Sequence, residues 1–135
     1  MTVDSALLKP LLPDGDNISQ AATEPNGGTD RCDVSVDGET VLIARQSWRE
    51  RTDTAGTVAR SYLGMGNGEL SEDNRFMYTG TEATGSPTSC ASADHPDMKL
   101  FTVIETRAED IDDRDAMNKL IVAYTKAVER TDACA

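Results

Sequence analysis

The chain has 135 residues, 38% of them hydrophobic and only 4% aromatic, and carries a net charge of −11. That length suits one domain with a real core, and the charge argues against phosphate-backbone partners and anionic membrane surfaces. The most apolar segment, Thr40 to Ala44, is far too short to span a bilayer.

Residues 4–12 have the pattern of a short helix. Asp4 or Ser5 can cap it, Ala6, Leu7, Leu8, Leu11 and Leu12 form a stripe, and Pro10 limits its length. The start "MTVDSALLKPLLPDG" has no basic segment, no long apolar middle and no small-residue cleavage site. The chain is therefore either cytosolic or begins after a removed leader. "PDGDNISQAATEPNGGTD" has the composition of a loop. Its DGDN string lacks the glycine position and closing glutamate of a calcium loop, so a turn is expected.

"RCDVSVDGETVLIARQSW" is the clearest hairpin. Asp37-Gly38 suits a type I′ turn, in which both residues take positive φ. A two-residue turn pairs Val36 with Glu39, Val34 with Val41 and Cys32 with Ile43, all on one face, and so points Cys32 into the core. Trp48 follows amid Arg45, Arg49 and Arg51, the one basic cluster of the chain. Trp48, Arg45 and Arg49 are a candidate interaction patch, since Trp and Arg are enriched at hot spots. The competing reading is a core tryptophan whose flanking arginines pair with local acids.

Ala55, Val58, Ala59, Tyr62 and Leu63 have helical spacing, weakened by Gly56 and stopped by Gly64. "NRFMYTGTE" predicts a strand with Phe76 and Tyr78 on one face, and "SPTSCASA" is its expected hairpin partner, at an edge because of Pro87. "KLFTVIETRA" is the best central strand, apolar and β-branched over most of its length. From Asp115 to Thr131, Met117, Leu120, Ile121, Tyr124, Ala127 and Val128 recur at helical steps. Asp110, Asp112 or Asp113 can cap that helix, and Lys126 and Arg130 suit its end. The expected fold is α+β in two layers: a mostly antiparallel sheet of about five strands covered by an amphipathic C-terminal helix.

No catalytic constellation stands out. Cys90 and His95 are five residues apart, but neighbouring acids would raise the thiol pKa rather than lower it. "EDIDDRD" could attract a hard cation through Asp110, Asp112, Asp113 and Asp115, yet helix capping explains it better. One histidine and no CxxC argue against zinc, and "GMGNG" is not a dinucleotide loop. No metal or cofactor is expected.

Three cysteines leave the pairing open. Cys90 with Cys134 is the leading disulfide, because it would tie down the terminus after the last helix. Cys32 with Cys90, a fourth cysteine lost with a leader, and three reduced thiols are the alternatives.

Arginine outnumbers lysine nine to four, and Ala, Thr, Asp and Gly are abundant. With "RCDVSVDGETVLIA", "SPTSC", "LFTVIET" and an amphipathic helix ending in "AC", the chain resembles the uncharacterised secreted proteins and lipoproteins of actinobacteria. "SALLKPLLPDG" looks like the start of their mature domain. The chain departs from them in lacking a cysteine just before that segment, which leaves the partner of Cys32 in doubt. The resemblance implies that residues 1–135 are a single domain, the mature part of an exported protein. It also implies an extracytoplasmic location, secreted or membrane-anchored.

The functional expectation is a non-enzymatic domain of the cell envelope that binds a protein or another envelope component. A cytosolic interaction or regulatory protein is the second reading, and a small hydrolase or metal-dependent enzyme the third.

Overall fold

The computed structural model describes residues 5–15, 17–26, 29–63, 68–88, 96–108 and 111–131. Helix α1 (Ser5–Leu8) and a single 3-10 turn (Lys9–Leu11) precede three strands, β1 (Ile18–Asn26), β2 (Thr29–Val36) and β3 (Glu39–Glu50). Helix α2 (Ala55–Leu63) follows, then β4 (Glu69–Leu70), β5 (Phe76–Tyr78), β6 (Glu82–Gly85), β7 (Met98–Thr106) and helix α3 (Arg114–Glu129). All strands join one antiparallel sheet in the order β1-β2-β3-β7-β6-β5-β4. The α+β class and the C-terminal helix agree with the sequence reading, but the sheet has seven strands rather than about five.

The expected turn forms at Asp37 and Gly38, with φ of 52° and 86°. Val36 pairs with Glu39 as anticipated. Beyond it the register shifts at a bulge, so that Val34 pairs with Leu42 and Cys32 with Ala44, not with Val41 and Ile43. One extra residue in β3 reverses the faces of the following side chains. Leu42 and Ala44 therefore join the Val34 face, and Ile43 turns to the opposite side.

Another correction concerns the segment read as a loop, which contains β1. A further one concerns the partner of β5, which is β6. Ser86 to Thr88, in the stretch expected to supply that partner, are not in a strand, and residues 89–93 lie outside the described residues.

β7 is the central strand, and its alternation explains the layers. Leu100 and Ile104 share one core with Met117, Leu120, Ile121, Tyr124 and Val128 of α3. Phe101 and Val103 point the other way and pack with Val58 of α2, while Met77 meets Ala59. Helices thus cover both faces, where two layers were expected. Asp113 is the residue that caps α3, its carboxylate accepting from the Ala116 N–H at 3.0 Å. Thr54 and Thr57 cap α2 reciprocally, each N–H donating to the other's Oγ1. Where α3 crosses the sheet, the Thr102 and Thr125 hydroxyls bond at 2.7 Å in a fully buried site.

Candidate groove beside the first strand

Helix α3 lies mainly over β5, β6 and β7; Val34, Leu42 and Trp48 still share its core, and the face is open toward β1. A groove of about 590 Å³ opens there, lined by Gln20, Ala22, Asp30, Cys32, Gln46 and Tyr124. The register explains the convergence: Ala22, Cys32 and Ala44 lie in one cross-strand row, and Asp30 pairs with Gln46 in the next. Glu24 and Arg31 stand at its rim. A second hollow of about 530 Å³ adjoins it, between the Leu8–Gly15 segment and Ile18, Gln20 and Val34. Gln20 belongs to both.

Neither potential nucleophile of the groove is activated. Burial, and then the neighbouring Asp33 carboxylate, push the Cys32 thiol up. Burial likewise raises the Tyr124 hydroxyl, against a hydrogen bond with Gln46 that favours its anion and with Cys32 and Asp30 adding to the rise. Both groups are protonated at neutral pH, which suits hydrogen bonding to a ligand more than attack on one.

The opposite face carries a charged row. The Arg45 Nη1 bonds Glu105 Oε1 at 2.5 Å, and Arg107 Nη2 approaches the other carboxylate oxygen at 3.2 Å. Glu82 stands directly across from Glu105 in the β6–β7 ladder. Burial first, and the Glu105 charge second, raise the Glu82 pKa. Folding therefore disfavours the Glu82 anion, a penalty that is complete at neutral pH and absent below the ordinary carboxyl range. Glu82→Gln should stabilise the protein at pH 7 by no more than about 1 kcal/mol, because the group is partly solvated. That gain should vanish near pH 4, where the wild-type carboxyl is protonated. Urea midpoints at both pH values check this, and a difference independent of pH would refute it.

The residues singled out from sequence are dispersed. Trp48 packs against the α3-side core, whereas alternation along β3 puts Arg45 and Arg49 on the other face. Arg45 pairs with Glu105 and Arg49 with Asp53. Cys90, His95 and Cys134 lie outside the described residues, as does Asp110 of the acidic run. Cys32 is a free, half-buried thiol at the groove. Among the described residues no group of three or more His, Cys, Asp or Glu could hold a metal ion. No helix among them is long and apolar enough to cross a membrane.

The expectation that Cys32 points into the core is corrected: it shares the α3-side face with Ala44 but is half-buried on the open groove, outside the core cluster, with Gln20, Asp30, Gln46 and Tyr124 as further lining residues. Tyr124 was visible only as part of the α3 stripe, and Gln20 sat in a segment read as loop. Searches against protein-family models, curated proteins and solved structures found no match to this chain.

Proposed function

We propose that the protein is a non-enzymatic binding module of the extracytoplasmic cell envelope, which holds its ligand in the groove between α3 and the β1–β2–β3 end of the sheet. The observation that carries this reading is the groove itself. It is open, bounded by the sheet, and lined with hydrogen-bonding groups around a small apolar floor. The protonated Cys32 and Tyr124 favour binding over catalysis there. The extracytoplasmic placement is supported by the likeness to actinobacterial exported domains, and it carries with it the proposal that Cys90 and Cys134, which lie outside the described residues, form a disulfide.

One alkylation experiment addresses both parts. On the intact chain, without reductant, one thiol should react, and peptide mapping should place the label on Cys32. Three labelled thiols would replace the extracytoplasmic reading with a cytosolic one. The reaction should be slow at pH 7 and faster as pH rises, since only the thiolate reacts. Solubilised cell-envelope fractions are then added. The expected result is a fraction that slows Cys32 alkylation several-fold and is recovered chemically unchanged. A fraction that is consumed would make the groove catalytic. If no fraction protects the thiol, the groove is not the binding site.

A further inference from the structure

β1 is the terminal strand of the sheet next to this groove, unpaired on its outer side among the described residues, and it has the geometry and charge to accept another strand. β1 is nine residues long, and Asn17 to Glu24 are all exposed. The Asp37 N–H donates to the Asn17 carbonyl at 2.8 Å. That bond makes Asn17 and Asp37 a hydrogen-bonded pair, and the antiparallel alternation then turns the N–H and C=O of Ile18, Gln20 and Ala22 away from β2. Edge strands are ordinarily blunted by charges, proline or a bulge. Here the register irregularity and Pro25 come only after Thr23, and Asn17 to Thr23 carry no charge. Ile18 is 62% exposed on this edge.

We propose that β1 pairs with an extended, cationic segment of another protein, added antiparallel to the sheet. The proposal rests on the binding-module reading and names its partner. Main-chain bonds to Ile18, Gln20 and Ala22 supply affinity, and the two hollows supply side-chain selectivity. They differ in chemistry. The one at the Ile18 end is walled by Leu8, Leu12 and Pro13 and takes an apolar side chain. The one at the Ala22 end holds Glu24 and Asp30, the Arg31 cation that lines it is paired with Asp33, and it takes Lys or Arg. Ile18 and Ala22 are four residues, or about 13 Å, apart along an extended strand, so the two partner side chains lie at i and i+4 on one face. Antiparallel pairing puts the basic residue first. A second copy of this chain fits poorly. It would bring Asp14, Glu24 and Asp30 against their own counterparts in a molecule of net charge −11.

The probes are pools of soluble peptides of about ten residues, with Arg at one position, Val four residues later and mixed Thr, Ser and Gln elsewhere. Amide hydrogen exchange of the full chain is the readout. The expected result is slowed exchange at Ile18, Gln20 and Ala22, weakened at least tenfold when Glu replaces Arg in the pool and reduced by added salt. Gln20→Pro should abolish it, since proline has no outward N–H to offer at that edge. Asp30→Lys leaves the backbone intact and should weaken the Arg pool by a similar factor, which covers a misfolded proline variant. Unchanged exchange at those three amides with every pool would overturn the proposal. If the pools slow Cys32 alkylation without protecting those amides, edge pairing fails while the groove reading stands. Protection that grows with protein concentration in the absence of peptide, together with a dimer in sedimentation, would assign the edge to a second copy and also overturn it.

Discussion

Leu120→Asp should cost at least about 4 kcal/mol and leave little folded protein at room temperature. Leu120 is 2% exposed and sits in the middle turn of α3, in one cluster with Met117, Ile121, Leu100, Ile104 and Leu42. Losing the leucine side chain alone costs about 2–5 kcal/mol through transfer and cavity terms. The aspartate adds a carboxylate with no cation in that cluster, and burying it uncompensated costs several kcal/mol more unless it protonates. Domains of this size have total stabilities of about 5–15 kcal/mol, so one substitution consumes most of the margin. Lys119→Asp is the control. Its side chain is 64% exposed, and the substitution loses an exposed i,i+4 pair with Asp115 and sets two carboxylates at that spacing, each effect worth about 0.5 kcal/mol. Urea unfolding followed by Trp48 fluorescence measures both. Similar midpoints for the two variants would mean that α3 does not pack on the sheet through this face.

What the sequence made legible was whatever depends on local pattern. Asp37-Gly38 specifies its turn because few residue pairs accept two positive φ angles. α3 declares itself through a stripe that recurs over four turns, and β7 through an apolar run buried on both faces. That same run held the clue to the third layer. Leu100 to Ile104 leave no polar side for solvent, so a second helix had to cover Phe101 and Val103.

The missed features have no local pattern to find. β1 is exposed on both faces from Ile18 to Glu24, so it lacks the polar–apolar alternation that marks a half-buried strand. It is a strand because β2 offers it an edge. The bulge in β3 falls in "VLI", three consecutive buried residues that would tolerate either register, so hydrophobicity could not place the extra residue. The groove inherits both difficulties. It needs β1 to exist, the bulge to turn Ala44 toward Cys32, and α3 to bring Tyr124 across from the far end of the chain. Each wall is an ordinary residue in sequence, and only the tertiary arrangement joins them.

Gly85→Ala is the second large effect, and it tests the contact between α3 and β6 without introducing a charge. A Cβ at Gly85 would lie 2.4 Å from Thr125 Oγ1, 2.5 Å from Thr102 Oγ1 and 3.2 Å from Phe76 Cδ1. The first two atoms belong to the buried hydroxyl pair, which is held at 2.7 Å and cannot swing into solvent. The methyl must therefore push α3 away from the sheet or break that hydrogen bond. Overpacking costs about 1–3 kcal/mol, and stranding a buried hydroxyl costs about 1–3 kcal/mol more. A total near 3 kcal/mol is expected, because one relaxation can relieve part of both. The backbone conformation gives no reason for the loss, since Gly85 is in a regular strand without positive φ. Removing the obstructing hydroxyls should then restore stability. In the Thr102→Ala, Thr125→Ala background, the added methyl has space, and Gly85→Ala should cost less than about 1 kcal/mol. Calorimetric unfolding of the single, double and triple variants closes the cycle. An equal cost in both backgrounds would show that the threonine pair does not set the close approach of α3 to β6.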